Sequence, residues 1–504
     1  MMNEEATKAP IVVAFLTYWT LMMMAIFGKV HDMASKDENT APGYAPVLDK
    51  LHKFFVRRMY WRIQDCFNRP ICSAPGSWMD VMLRTDASTD HAPRLTGERQ
   101  RALNMGSYNY LGFAAYDPHC TPKVVESLRR DGWATGATRM AGGSTPEHVA
   151  LDREIAAFVG KPAAVTCGMG FATNSFFIPL LTGPGTLIVS DALNHASIVT
   201  GARGSAAKVR VFRHNDPEHL ERVLREAVVR GQPRTHRPWR KIIVVVEGIY
   251  SMEGEICRLA EIVEVKKRYK AYLYVDEAHS IGAMGATGRG VCEHCGVDPA
   301  DVDVLMGTFT KSFGSCGGYV ASSVEVIEHL RRHSPAQVLA TSMSPPAVAM
   351  VRGALDVVTG RDGTARGAEK LASLRDGADY LRERLLKMGL SVLGDWGSPV
   401  LPFMCFHPAK LTMLSRFALE AGIALVVVSF PATPIMEARC RICVSAAHTR
   451  EELDFLIDVL DALSAKLGIR YGGEAAAEAA DAHVAARTKG GIKAPYVHEL
   501  TAAA

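Results

Sequence analysis

The chain has 504 residues, enough for two or three domains with substantial cores, and its 48% hydrophobic and 22% charged content is that of an ordinary globular protein. A net charge of +4, with no basic-aromatic array of the RNA-binding kind, argues against a nucleic-acid partner. Eleven cysteines, mostly scattered through apolar runs, suit reduced thiols in a cytosol-facing compartment. Cys292/Cys295 and Cys440/Cys443 have metal-like spacing but lie far apart, so no metal is expected.

Ile11 to Phe27 carries no charge and is about 17 residues long, near the lower limit for a spanning helix. The acidic start and Met-rich end do not suit a cleaved signal, so residues 1–47 are read as a membrane anchor and linker. Leu48 to Asn68 interleaves aromatic and basic residues, which suits either a membrane interface or a helix packed on a partner. The rest of 48–101, from Ile71 on, looks like a loop-rich connection.

A large domain is expected over 102–345. Leu103 to Gly112 reads as a short strand ending in a Gly turn, and helical spacing follows over 122–131 and 146–159. Strand-like runs at 163–166, 186–190, 209–212, 241–247, 271–276 and 302–307 then alternate with helical ones. That alternation predicts an α/β fold with a mostly parallel central sheet covered on both faces, with ligands beyond the carboxyl ends of its strands. A smaller C-terminal α+β domain is expected over 346–470. It has one long helical stretch (347–388), strands at 391–393, 401–406, 424–428 and 439–444, and a closing helix over 451–467. Residues 471–504 form an Ala-rich, low-complexity tail, disordered or weakly helical.

Chemically useful groups gather at the predicted strand ends. In Gly307–Gly318, Lys311 sits among Thr308, Thr310 and Ser312 and is followed by three glycines, Gly314, Gly317 and Gly318. A semi-buried lysine has a lowered pKa, and only a neutral amine attacks an aldehyde. The Gly-x-x-x-x-Gly-Lys order of a P-loop is absent. Cys167 to Asn174 runs from a strand into a helix; its backbone N–H groups, at Gly168 and Met169, either hold a phosphate or form a plain turn. His195 could stack on a flat ring or simply cap a helix. Ser251 could touch cofactor or substrate. Asp276 ends a buried strand, which is costly without a cation, and His279 follows three residues on. The Asp-Glu-Ala-His letters also occur in helicases, but no Walker A lysine accompanies them.

Together these residues, and the Thr-Phe-Thr-Lys-Ser-Phe-Gly stretch above all, resemble the α-oxoamine synthase family of fold-type I pyridoxal-phosphate (PLP) enzymes, whose fold is aminotransferase-like. The resemblance covers roughly 103–467. It implies pyridoxal 5'-phosphate bound to Lys311 as a Schiff base, with Asp276 on the pyridine nitrogen, His195 stacked on the ring and His279 on the ring oxygen. Gly168, Met169, Thr308 and Thr310 would hold the phosphate.

Met105 to Gly112, Phe430 to Arg441 and the N-terminal apolar segment resemble the catalytic long-chain-base subunits within that family. Those condense L-serine with palmitoyl-CoA, lose CO2 and give 3-ketosphinganine, the first step of sphingolipid synthesis. The same resemblance places Tyr108 and Asn109 at the active-site mouth and assigns the substrate carboxylate to Arg441 or Arg439, with Arg441 favoured. It implies a heterodimer with a non-catalytic companion subunit, small regulatory membrane subunits, and an endoplasmic reticulum membrane location with the catalytic domain facing the cytosol. A sister synthase using glycine or alanine would share every cofactor residue, and a non-catalytic scaffold would keep the fold alone.

Overall fold

The computed structural model describes residues 60–489, apart from 62, 86–91, 431 and 435, together with part of 11–27. Where a loop-rich connection is expected, it has an antiparallel pair, β1 (Trp78–Arg84) and β2 (Leu95–Asn104). The pair escapes a sequence reading because most of β2 is exposed and charged, and only its last three residues are buried. Its turn lies outside the described residues.

The central sheet has seven strands: β3 (Ala163–Cys167), β4 (Thr186–Asp191), β5 (Lys208–Phe212), β6 (Lys241–Glu247), β7 (Tyr272–Asp276), β8 (Val304–Thr308) and β9 (Gly318–Ser322). Their spatial order is β3-β9-β8-β7-β6-β4-β5. Five of the expected parallel strands pair in parallel; β9, not anticipated, runs antiparallel to both β3 and β8. Every residue of β4, β8 and β9 is buried, as strands covered on both faces require. Alternate residues serve two cores. Ile188, Ile243 and Tyr274 pack with Phe177 and Ile198, whereas Leu187, Val244 and Leu273 join the larger cluster on the other face.

The C-terminal part differs in two places from its prediction. The expected long helix is two, Pro345–Val358 and Arg366–Lys387, because Gly360 and Gly363 between them both take positive φ values. The expected strand over 424–428 is divided at Leu425 between two sheets. β11 (Ile423–Ala424) runs parallel to β2, while β12 (Val426–Val428) joins β10 (Val400–Phe406) and β13 (Ala438–Cys443) in the order β10-β13-β12. Residues 391–393 contribute only an isolated bridge, Val392 to Phe403.

The closing helix Arg450–Leu467 begins with a capping box, Thr449 with Glu452, and ends on Gly468 in the left-handed region. Residues Glu474–Lys489 of the tail are helical, and 490–504 lie outside the described residues.

Most of 48–68 also lies outside them, but the described end, Gln64–Cys66, docks on helix Pro408–Glu420 through an Asp65–Arg416 ion pair at 2.7 Å. Among the described residues no helix is long and apolar enough to cross a membrane, and residues 11–13 and 15–20 are helical.

Candidate active site

Four strands of the central sheet deliver polar groups at their carboxyl ends: Asp191 from β4, Glu247 from β6, Asp276 from β7 and Thr308 from β8. Glu247 and Asp276 are register partners. The Asp276 carboxylate is 3% exposed and no Lys or Arg pairs with it among the described residues. Instead Asn174 Nδ2 donates to Asp276 Oδ2 at 2.7 Å, and Ala278 N–H donates to Oδ1 at 2.8 Å. Asn174 is the hub of a buried web. Its Oδ1 accepts from the Tyr274 hydroxyl at 2.7 Å, its Nδ2 also reaches Ser197 Oγ at 2.9 Å, and Ser197 Oγ lies 2.7 Å from His195 Nδ1.

His195 itself is exposed, its ring edge-on to Phe171 with centroids 5.9 Å apart. Its backbone N–H donates to Glu247 Oε1. Burial and the neighbouring Asp276 hold the Glu247 carboxyl well above the usual range, and through this contact it fixes the start of the His195 loop.

Lys311 follows β8 on a loop closed at both ends by the pairing of Thr308 with Gly318. Burial pushes its amine down to about 8, against the opposing pull of Asp276 and Glu247. Its Nζ lies 5.2 Å from the centre of the Tyr108 ring. Arg441 covers the same ring at 4.3 Å, and His279 meets it edge-on at 4.7 Å. His279 Nδ1 is 2.7 Å from the Tyr110 hydroxyl, and burial with the nearby Lys311 charge keeps the imidazole neutral. Ser251 also lies within reach of Tyr108.

Thr308 Oγ1 and Thr310 Oγ1 are 2.8 Å apart, beside the start of helix Gly170–Leu181. A Cβ on Gly170 would come within 2.7 Å of Thr308 Oγ1, so only glycine lets the helix start approach these hydroxyls. Gly168 and Met169, immediately before it, are both exposed. The N–H groups of the first turn and two hydroxyls therefore lie side by side, a ready site for an anion.

The two candidate arginines of β13 differ. Arg439 is bound up: it meets Glu253 at 3.1 Å, Glu437 at 2.6 Å and Met252 O at 2.9 Å. Arg441 pairs with no carboxylate among the described residues. Its Nη1 reaches Met252 Sδ at 4.0 Å, and its Nε is buried without a hydrogen-bond partner. Asn109 does not reach this place as expected. Its amide is spent on bracing the loop, donating to Pro75 O at 2.9 Å and accepting from Ala114 N at 3.1 Å. Asn174, Ser197, Tyr110 and Glu247 were given no role from sequence. A lone amide in the apolar run of helix Gly170–Leu181 was the one available signal.

The residues fit pyridoxal phosphate. A buried carboxylate lacks a cation, a neutral-prone amine lies near it, and an anion cradle sits at a helix start. The family model for aminotransferase class I and II matches residues 100–460. Long chain base biosynthesis protein 2a of Oryza sativa subsp. japonica is 55% identical over 469 residues, covering 92% of this chain and 96% of that protein. Serine palmitoyltransferase 2 of Dictyostelium discoideum is 50% identical over 434 residues, covering 86% and 89%. Among solved structures, a serine palmitoyltransferase from S. paucimobilis with a bound PLP–myriocin aldimine superposes with a TM-score of 0.68 at 29% identity, covering 75% of this chain and 90% of that one. With its mixed seven-stranded sheet and the lysine on the loop between β8 and β9, the chain belongs to the aminotransferase class I and II family.

Proposed function

We propose that this protein is a pyridoxal-phosphate-dependent acyltransferase that condenses L-serine with palmitoyl-CoA, releasing CoA and CO2 and giving 3-ketosphinganine. The observation that carries the reading is the Arg441 fork, unpaired with any carboxylate among the described residues, at the same Tyr108 ring that Lys311 meets. A planar guanidinium with no carboxylate partner is suited to an amino-acid carboxylate, and the nearby amine to a proton on the adjacent carbon. The relatives' names narrow the amino acid to serine.

Lys311 would hold the cofactor through its amine, Thr308, Thr310 and the N–H groups of 168–170 would take its phosphate, and Asp276 would face its ring nitrogen. His195 would lie against the ring, and His279 would face its oxygen. When bound, the cofactor supplies an electron sink for the carbanion formed at the amino-acid Cα. Lys311 Nζ, once freed, takes the Cα proton; an amine near 8 is a base of the right strength for that task. Arg441 orients serine by its carboxylate, and Tyr108 closes one side of the pocket between the two cations. Asn174 fixes the Asp276 carboxylate in place by donating to it.

The reading extends to assembly. The protein is the lysine-bearing half of a heterodimer with a non-catalytic companion subunit, joined by small regulatory membrane subunits, in the endoplasmic reticulum membrane with its catalytic part facing the cytosol. Ile11–Phe27 is its membrane anchor. Supporting this, Phe15, Leu16 and Trp19 are helical yet 58%, 56% and 57% exposed, an arrangement that suits lipid rather than water.

The test is product mass spectrometry of the chain co-expressed with a companion subunit, given labelled serine, glycine or alanine and a series of acyl-CoAs. Labelled 3-ketosphinganine from serine and palmitoyl-CoA is the expected result. A ketone from glycine or alanine alone would move the protein to a sister synthase.

A further inference from the structure

His214 lies outside every role assigned above, yet it stands where three segments meet. Its Nδ1 is 2.8 Å from Asp191 Oδ1, at the end of β4, and its Nε2 is 3.3 Å from Glu255 Oε2. The second contact is an ion pair without the alignment of a hydrogen bond. The ring stands edge-on to Tyr250 at 4.3 Å. Asp191 in turn accepts the Leu193 N–H and the Asn215 N–H, both at 2.8 Å, which fixes the start of the loop that carries His195.

Asn215 completes the junction. It donates to Ile256 O at 2.9 Å and accepts from the Arg258 N–H at 2.9 Å. The loop so gripped, 248–258, is pinched shut by the Ile249–Ile256 bridge and carries Ser251, Met252 and Glu253. Its far side is seated on the small sheet. Ile256 N–H donates to Asp395 Oδ2 at 2.7 Å, and a Cβ on Gly254 would come within 2.4 Å of Val400 O. Met252 and Glu253 are the partners of Arg439, and Met252 Sδ is the atom that Arg441 touches.

We propose that His214 is a positioning residue for serine: as a cation between Asp191 and Glu255 it holds loop 248–258 in the one place that seats the Arg441 fork at the Tyr108 ring beside Lys311. This rests on the reading of Arg441 as the carboxylate-binding group. The two carboxylates raise the His214 imidazole to about 10 despite its burial, so the cation persists at neutral pH. The lever bears on the amino-acid carboxylate rather than on the cofactor phosphate, because the loop touches the arginines of β13 and none of the groups placed around that phosphate.

The experiment uses the full chain with its companion subunit, loaded with cofactor, as wild type, His214→Asn and Glu255→Gln. Serine titration followed by cofactor absorbance gives a Kd, steady-state kinetics give KM for serine and palmitoyl-CoA, and thermal melting reports the fold. In His214→Asn, which keeps a donor for Asp191, the serine Kd and KM rise about tenfold while the palmitoyl-CoA KM stays within about twofold. Glu255→Gln gives a smaller rise, about threefold, in the same constants. Serine constants within about twofold of wild type in a normally melting His214→Asn enzyme would overturn the inference. So would equal losses for both substrates together with a lowered melting point, the mark of a structural role. If His214→Asn fails to fold, Glu255→Gln decides by the same criterion, its side chain being 40% exposed. Wild-type enzyme that shows no spectral response to serine sinks the serine reading itself and this inference with it.

Discussion

The carboxyl edge of the seven-stranded sheet and the strand β13 face each other across the site, and they are prepared in opposite ways. On the sheet side most polar groups already have partners: Asp276, Asn174, Ser197 and His195 form one hydrogen-bonded chain. On the β13 side two neighbouring arginines share a face, and one is saturated while the other is left open. The sheet side holds a resident group and gains from rigidity, which low-dielectric surroundings reinforce. The β13 side must release what it binds after each turnover. Its saturated arginine supplies the frame, and its open one is the group proposed to bind the amino-acid carboxylate.

That contrast can be broken from the sheet side by Lys311→Ala, which is expected to abolish turnover and the lysine-dependent cofactor absorbance band. An active Lys311→Ala enzyme would end the assignment. On the β13 side, Arg441→Ala should lower kcat/KM for serine by about 100-fold with an unchanged melting point, because its loss leaves no buried charge behind. Arg439→Ala should behave the other way. It strands Glu253 and should cost about 3 kcal/mol of stability, read by denaturant unfolding. If the two variants proved alike, the division of labour would be wrong.

The pH dependence sharpens the sheet side. With the Lys311 amine near 8, its neutral fraction climbs as pH rises through that value. The rate at which cofactor-free protein takes up pyridoxal phosphate should therefore increase about tenfold from pH 7 to 9 and then level off, as stopped-flow absorbance would show. A flat profile would mean the amine is not the titrating group. The smallest effect is expected far from both sides: Thr449→Ala removes one half of a capping box and should cost about 1 kcal/mol without touching kcat.

Much of this was legible in the sequence, and the exceptions share a cause. Asp276 stood out because a carboxylate ending an apolar strand demands explanation, and Lys311 because of the hydroxyls and glycines around it. Asn174 did not, since its partners Asp276 and Tyr274 lie about a hundred residues away and are brought to it only by the β7 position in the sheet. Strand β2 was hidden by its exposed charges, and β9 by following a glycine-rich loop with only five residues of its own. The single helix expected over 347–388 failed at Gly360 and Gly363, where backbone permissiveness outweighed a continuous helical pattern. Asn109 and Tyr108 are chain neighbours in one motif, yet the backbone turns one into the site and the other into the loop.

The antiparallel return of β9 beside β8 also bears on how the chain folds. Parallel neighbours need a long crossover before they meet, whereas Thr308 and Gly318 are joined by a short loop and can pair with little loss of chain entropy. The hairpin that carries Lys311 is thus the part of the sheet with the lowest contact order, while Asp276 reaches it only after a longer-range pairing of β7 with β8. In pulse-labelled hydrogen exchange, amides of 305–308 and 318–321 are expected to gain protection ahead of those of β4 and β5. The nascent protein would then display its lysine before it has assembled the pocket that gives that lysine its chemistry.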